Sequence, residues 1–130
     1  MNLESPKVTV DKSANDLCEF LSEVKNFEQL MPENTSKFEV LNEKRFLFAL
    51  KGMPEIVLEL KDVQAPNKVI LGAASDKLPF TLTADINEIE ANKSEAQLEF
   101  AGEFNAMMAM MIKGPITNFI GALSENMAKL

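Results

Sequence analysis

Histidine, tryptophan and tyrosine are absent from this sequence of 130 residues, and cysteine occurs once, as Cys18. Without histidine the chain lacks the side chain that most often transfers protons near neutral pH and the commonest metal ligand. Ser-His and Cys-His nucleophile pairs are excluded with it, and a single cysteine excludes an intramolecular disulfide and a thiolate zinc cluster. The sequence therefore contains no evident catalytic residue, and we predict no metal site and no cofactor.

Basic residues are also few, since 13 lysines and arginines stand against 20 aspartates and glutamates, for a net charge of −7. The sole adjacent basic pair, Lys44-Arg45, directly follows Glu43. Nucleic-acid binding draws most of its affinity from clustered lysine and arginine, and anionic membranes attract the same clusters. The charge therefore excludes nucleic acid as a partner and disfavours anionic membrane surfaces.

Long hydrophobic runs are missing too. No stretch reaches the roughly 18 apolar residues of a membrane-spanning helix. Residues 1–6 have neither the basic flank nor the apolar run of a signal peptide. We expect a cytoplasmic protein without stable membrane insertion. Because no linker, repeat or charge block divides the chain, residues 1–130 are expected to form one domain.

The first part of the chain has a strand pattern followed by helical patterns. Residues 3–12 alternate as a strand, and Ser13 with Asp16 three residues later is a capping signal for a helix. Asn26 is placed to cap a second short helix. Pro32 should end that helix, because proline disfavours helical backbone in the residue before it.

The middle of the chain is rich in β-strand patterns. Apolar and polar residues alternate there, which is typical of an antiparallel sheet with one buried and one solvated face. The predicted strands cover residues 36–42, 45–50, 55–61, 68–74, 80–87 and 97–104. The predicted turns are Asn42 to Lys44, Gly52 to Pro54, Ala65 to Asn67, Ser75 to Pro79, and the residues around Asn92.

The last 25 residues change to a helical period. The apolar stripe is formed by Met108, Ile112, Ile116, Phe119, Leu123 and Met127, widened by Met111, Pro115 and Ile120. Lys113-Gly114-Pro115 should kink or interrupt this helix. The kink could be static, fitting the helix to a curved sheet, or it could be a hinge that opens the front of the helix.

The element order carries a resemblance to a known superfamily. Its local signals are Leu17 through Leu21 followed by Leu30-Met31-Pro32, the hairpin Gly52-Met53-Pro54, and Met107 through Phe119. The chain resembles short bacterial members of the START-like superfamily, also called SRPBCC, which includes the birch-pollen allergen, polyketide cyclases and lipid-transfer domains. The resemblance implies an α+β helix-grip fold. In that fold a curved seven-stranded antiparallel sheet, with two short helices after strand 1, carries a long C-terminal helix packed across it.

The resemblance also implies a cavity between the sheet and the C-terminal helix that holds an apolar small molecule or lipid. We therefore predict binding or carrying of a hydrophobic small molecule or lipid, without evident catalysis. The residues expected to line the cavity come from the apolar face of the sheet and the front of the last helix. They are Phe48, Leu58, Phe80, Leu82, Phe100, Met108, Met111 and Ile112.

Two other functions stay open. One is a START-like enzyme of the cyclase or hydrolase type, which would depend on carboxylates, lysine or bound water because histidine and tyrosine are absent. The other is a protein-interaction module, either a homodimer or an accessory subunit. An exposed methionine surface would favour that role.

Individual residues have alternative interpretations as well. The methionines at 107, 108, 110 and 111 could fill an irregular core, adapt to varied apolar ligands, or form a subunit interface. Cys18 could be a small buried hydrophobe, or a thiol of lowered pKa near a helix start. Asp62, at the inward parity of its strand, could be a base at the cavity rim. Arg45 could pair with an acidic ligand head or with a surface carboxylate.

Overall fold

The computed structural model of the protein describes residues 1–53, 55–74 and 80–130. It contains α-helices at both ends of the chain, a 3-10 helix (η1) after the first of them, and eight strands. The helices are α1 (Ala14–Ser22), η1 (Val24–Leu30) and α2 (Ala106–Met127). The strands are β1 (Asn2–Glu4), β2 (Val8–Val10), β3 (Thr35–Asn42), β4 (Arg45–Leu50), β5 (Ile56–Gln64), β6 (Lys68–Ala73), β7 (Phe80–Glu90) and β8 (Lys93–Gly102).

The strands form one curved antiparallel sheet in the order β1-β8-β7-β6-β5-β4-β3, and β2 also pairs with β8. Since β1 and β2 share the same neighbour, the sheet has seven positions. Two short helices separate the first position from β3, and the long α2 follows β8. The α+β helix-grip architecture expected from the sequence is therefore confirmed.

The first strand is not continuous, so the prediction of one strand over residues 3–12 is wrong. Between β1 and β2 the buried Ser5 interrupts the ladder, because its Oγ accepts the amide of Leu98 at 2.9 Å. The Ser5 amide donates to the carbonyl of Leu98, also at 2.9 Å. Pro6, which has no amide hydrogen, then redirects the chain.

The helical connection agrees with one capping prediction and with the predicted helix end, and it contradicts the other capping prediction. Ser13 Oγ accepts the amide of Asp16 at 3.1 Å and so caps α1. The second helix is a 3-10 helix that starts after Glu23, so Asn26 does not cap it. Asn26 instead lies inside η1, and its Nδ2 donates to the carbonyl of Phe20 at 2.9 Å. The helix ends before Met31, whose extended backbone agrees with the restriction that Pro32 imposes.

The alternation in β7 and β8 predicted the buried face correctly. Leu82, opposite Phe100, and Ala84, opposite Leu98, all lie in the core. The predicted turns before β4, β6 and β8 are also present. Pro54 and the predicted turn at Ser75–Pro79 lie outside the described residues.

Helix α2 begins after Asn105, whose Oδ1 accepts the amide of Met108 at 2.8 Å. It continues through Pro115 to Met127, so an interruption is contradicted, and a kink at Pro115 stays a prediction. Proline removes one backbone donor, and Gly114 before it has no Cβ to collide with the proline ring. By length and composition alone α2 could cross a membrane. In this fold the second half of α2 packs on the sheet, where Phe119 is buried.

Stacked phenylalanines connect the sheet to the helices. The ring of Phe46 lies 5.2 Å from Phe27 in η1 and 6.0 Å from Phe48 on the same strand. Phe48 stacks on Phe119 of α2 at 4.8 Å, with the rings 7° from parallel. Such aromatic pairs contribute about 0.5–1.5 kcal/mol beyond the area they bury. This row of rings holds α2 against β4.

Candidate functional site

A small internal cavity lies between α1, η1, the sheet and the C-terminal part of α2. It measures about 10 Å³. Its lining is entirely apolar: Leu21, Phe27, Leu30, Val69, Leu71, Leu82, Ala84, Leu98, Leu123 and Met127. A space of this size is at the lower limit for one water molecule, and an apolar lining offers water no hydrogen bond. The cavity as described is too small for a ligand.

An open groove of about 650 Å³ lies on the surface between α2 and the turn that joins β4 to β5. Its described lining consists of Pro32, Asn34, Leu50, Lys51, Gly52, Met53, Gly114, Pro115, Asn118, Phe119 and Ala122. Volumes of about 300–1,000 Å³ with an apolar lining and a few polar groups are typical of small-molecule sites. We therefore treat this groove as the candidate site.

One wall of the groove is a tight turn. The amide of Met53 donates to the carbonyl of Leu50 at 2.9 Å, and Gly52 between them has φ +83°. A β-turn with positive φ at its third residue favours glycine strongly. The amide of Lys51 donates to the carbonyl of Asn34 at 2.8 Å. That hydrogen bond joins the turn to the loop before β3.

The opposite wall is one side of α2. This helix lies closest to β8, β1, β2 and η1, which leaves a gap on the side of the β4–β5 turn. Gly114 contributes no side chain to that wall, and a Cβ there would meet no atom within 4 Å. Near its C-terminal end the helix is fixed by Asn126, whose Nδ2 donates to the carbonyl of Leu30 at 2.8 Å. The groove is thus the space between this side of α2 and the β4–β5 turn.

The turn geometry leads to a stability prediction for two glycines. We expect Gly52→Ala to lower the free energy of unfolding by about 1 kcal/mol, because alanine is strained at positive φ. Gly121→Ala is the control, since Gly121 lies inside α2 with nothing within 4 Å of an added Cβ. It should raise stability by about 0.5–1 kcal/mol through helix propensity. Urea denaturation measures both changes in the free energy of unfolding. If the two substitutions changed it in the same direction, the positive φ assigned to Gly52 would be contradicted.

The residues predicted to line a cavity do not line the groove, although Leu82 lines the small internal cavity. Four are buried in the core: Phe48, Leu58, Leu82 and Phe100. Phe80 and Ile112 are half-buried against it, and Met108 is half-buried. Met111 is 68% exposed. None of the eight is among the described residues that line the groove, although Phe48 stacks on Phe119, which does line it.

The inner face of the sheet is nevertheless less covered at the end nearer the groove. On β5, Ile56 is half-buried whereas Leu58 is buried, and on β7 Phe80 is half-buried whereas Leu82 is buried. Helix α2 has the same gradient, because its second half is buried and its front is exposed. The inner face of the sheet and α2 are therefore both less buried toward the β4–β5 turn, which is the side where the groove lies.

Sequence reasoning singled out two parts of the groove without assigning them to a site. Gly52-Met53 belongs to the hairpin that carries the family resemblance, and Gly114-Pro115 lies at the predicted kink or hinge. The signal that could have joined them is the glycine that each segment contains. No sequence pattern marked Lys51 or Asn118 as a site residue, because an exposed polar residue has the same sequence pattern at a groove and on open surface.

The charged residues singled out in the sequence belong to the outer surface. Arg45 forms an ion pair with Glu59, which Lys61 also contacts at 3.3 Å. The hydrogen bond from Arg45, followed by that from Lys61, lowers the pKa of the Glu59 carboxyl. Arg45 thus pairs with a surface carboxylate, one of its two expected roles.

The inward placement predicted for Asp62 is wrong. The ladder between β5 and β6 shifts register between Leu60 and Asp62, which changes the direction of the following side chains. Asp62 is exposed, and its carboxylate accepts the backbone amide of Val63 at 2.9 Å and the side-chain amide of Gln64 at 3.1 Å. It is a solvated residue on the outer part of β5.

Cys18 is buried in α1, with 2% of its surface exposed. Burial raises the pKa of its thiol, a hydrogen bond with Ser22 lowers it in part, and the Glu19 carboxylate raises it. The hypothesis of a lowered thiol pKa is therefore wrong, and the interpretation as a small buried hydrophobe agrees with the structure.

This burial predicts slow alkylation of Cys18. Iodoacetamide should modify it roughly 100-fold more slowly in the native protein than in urea, because the thiolate form is disfavoured and covered. Rapid alkylation without urea would contradict the prediction.

The raised thiol pKa also predicts a dependence of stability on pH. The unfolded thiol ionises at lower pH than the folded one, so the free energy of unfolding should fall as pH rises above the ordinary thiol pKa. A Cys18→Ala variant should lack this part of the stability loss at alkaline pH.

Polar groups on the inner side are scarce among the described residues. Ser94 is fully buried, and its hydroxyl has no hydrogen-bond partner in the described part of the chain. The hydroxyl of Ser124, also buried, donates to the carbonyl of Ile120 at 3.0 Å. Within the described ranges no group of three metal-ligating side chains comes together.

Solved structures resemble the whole chain in fold. A START superfamily protein from Mycobacterium smegmatis matches with a TM-score of 0.71 and 11% identity, over 98% of this chain and 94% of that one. A point mutant of norcoclaurine synthase from Thalictrum flavum matches with a TM-score of 0.69 and 12% identity, over 99% and 92% of the two chains.

The third similar structure is the di-domain ARO/CYC protein BexL of the BE-7585A biosynthetic pathway. It matches with a TM-score of 0.65 and 14% identity, over 97% of this chain and 46% of BexL. No protein-family model and no curated protein matches the sequence. At these identities the comparisons establish architecture, and together with the sheet order and the position of α2 they show that this chain has a START-like helix-grip fold.

Proposed function

We propose that the protein binds a hydrophobic small molecule or lipid in the groove between α2 and the β4–β5 turn. The observation that carries this proposal is the size of the groove, about 650 Å³, compared with about 10 Å³ for the described internal cavity. Leu50 and Phe119 supply an apolar floor that is continuous with the core. Burying apolar ligand surface there is favourable by about 25 cal/mol per Å².

A pair of variants tests this site directly with Nile red, a neutral apolar dye. Ala122→Phe adds a ring to the groove wall, whereas Thr117→Phe adds the same ring at an exposed position of α2 outside the described lining. We expect the first variant to weaken dye binding about tenfold, since the ring occupies ligand volume, and the second to leave it unchanged. Equal affinity of both variants, or no binding by the wild type, would overturn the proposal.

Native mass spectrometry of protein purified from its own host, paired with organic extraction, then identifies the bound class. A stoichiometric adduct of small-molecule mass that is lost in Ala122→Phe supports a carrier. An adduct that the variant retains would place the ligand elsewhere and contradict the groove.

A homodimer is the second candidate, and it depends on a different surface. Met107, Met110 and Met111 are 74%, 82% and 68% exposed on the front of α2. Contiguous exposed apolar side chains are typical of surfaces that contact a partner. A dimeric mass that becomes monomeric when these methionines are changed to glutamine would support it. The carboxylate-based enzyme stays an untested prediction that no feature of the described groove favours.

A further inference from the structure

The polar residues of the groove have a charge bias opposite to that of the protein. Its described lining contains one cation, Lys51, and two amides, Asn34 and Asn118, with no carboxylate. The whole chain has 20 acidic against 13 basic residues. On a surface this acidic, a groove lined without carboxylates is chemically distinct.

The acidic residues nearest in sequence do not change this bias. Glu55 follows the turn, and its carboxylate pairs with Lys37 at 3.0 Å, an interaction that also raises the pKa of Lys37. Glu33 is exposed and does not line the groove among the described residues. The ion pairs in the described part of the chain do not include Lys51.

The backbone holds these polar groups at the rim. Lys51 and Asn34 are joined by the hydrogen bond between the turn and the loop before β3, at 2.8 Å. Thr35 steadies that loop, because its Oγ1 donates to the carbonyl of Pro32 at 2.7 Å. An ammonium group on an anchored backbone can reach the rim while its methylene stem lies along the apolar surface.

Building on the proposed function, we infer that the groove binds an anionic amphiphile, an apolar body that ends in a carboxylate, with the head group at Lys51. The ammonium of Lys51 and the amide nitrogens of Asn34 and Asn118 are hydrogen-bond donors, and charge-assisted hydrogen bonds to a carboxylate are stronger than neutral ones. The apolar body would cover Leu50 and Phe119.

The test compares 11-(dansylamino)undecanoic acid with its methyl ester, which has the same apolar body and no charge. We expect the wild type to bind the acid roughly five-fold more tightly than the ester, the size of an exposed ion pair. Lys51→Gln should abolish this preference and keep the affinity for the ester. Lys44→Gln, at the turn on the opposite end of β4, should keep both affinities. Raising the salt concentration should reduce the difference between the affinities of the wild type for the acid and for the ester.

The outcomes separate this inference from the proposed function. Equal binding of acid and ester by the wild type, or a preference that survives in Lys51→Gln, overturns the anionic ligand. If the ester still binds and Ala122→Phe weakens it, the groove remains the site. If neither probe binds the wild type, both the groove and its head-group specificity are overturned.

Discussion

Phe48→Ala should lower the free energy of unfolding by about 3–5 kcal/mol, the range for removing a buried phenylalanine ring. Phe48 is 1% exposed and lies between Phe46 on its own strand and Phe119 on α2. The variant loses two aromatic contacts and leaves a cavity where the helix meets the sheet. The measurement is the urea midpoint, read together with the slope of the transition.

Phe20→Ala is the matched control, since it removes the same ring from a half-buried position on α1. It should cost about 1–2 kcal/mol, because less apolar surface returns to water. If the two variants lost equal stability, the row of rings would not be the connection that holds α2 to β4. A loss of helix signal confined to Phe48→Ala would locate the effect at that connection.

Leu82→Ala should cost about 2–5 kcal/mol and leave Nile red binding unchanged. Leu82 is 3% exposed, lines the small internal cavity and lies opposite Phe100 and Leu71 in the sheet. Its truncation enlarges an internal space whose described lining shares no residue with that of the groove. Stability and dye affinity are therefore expected to respond independently.

This variant also separates the two candidate binding sites. If Leu82→Ala changed dye affinity as strongly as Ala122→Phe does, the ligand would enter the interior, as the sequence predicts. Leu41→Ala serves as the control, because Leu41 is 45% exposed on the edge strand β3. It should alter stability by less than about 1 kcal/mol and leave dye binding unchanged.

The fold was predictable because its strongest signals are local. The alternation through Phe80 and Leu82 identified the buried face of β7, and Ser13 identified the start of α1. Where tertiary structure decides, these signals failed. The register shift at Leu60 and Asp62 arises from pairing with β6, which a period of two in one strand does not contain.

The candidate site was harder to predict for the same reason. A groove is a space between elements, and its size depends on how far α2 stands from the β4–β5 turn. Met111 shows the limit clearly: it fits the apolar stripe by spacing, yet it is 68% exposed. Lys51 and Asn118 are distant in the sequence, and only the tertiary fold brings both of them to the groove.

The interrupted first strand has a consequence for synthesis of the chain. Both of its segments pair with the last strand, for example Leu3 with Phe100 and Val8 with Ala96. A ribosome makes residues in order, so this edge of the sheet can close only after nearly the whole chain has emerged. Contacts so remote in sequence require closure of a long loop and slow folding. Until β8 is made, β2 has no strand to pair with. The order of the nascent chain then depends on local structure in α1 and in the β3–β4 hairpin.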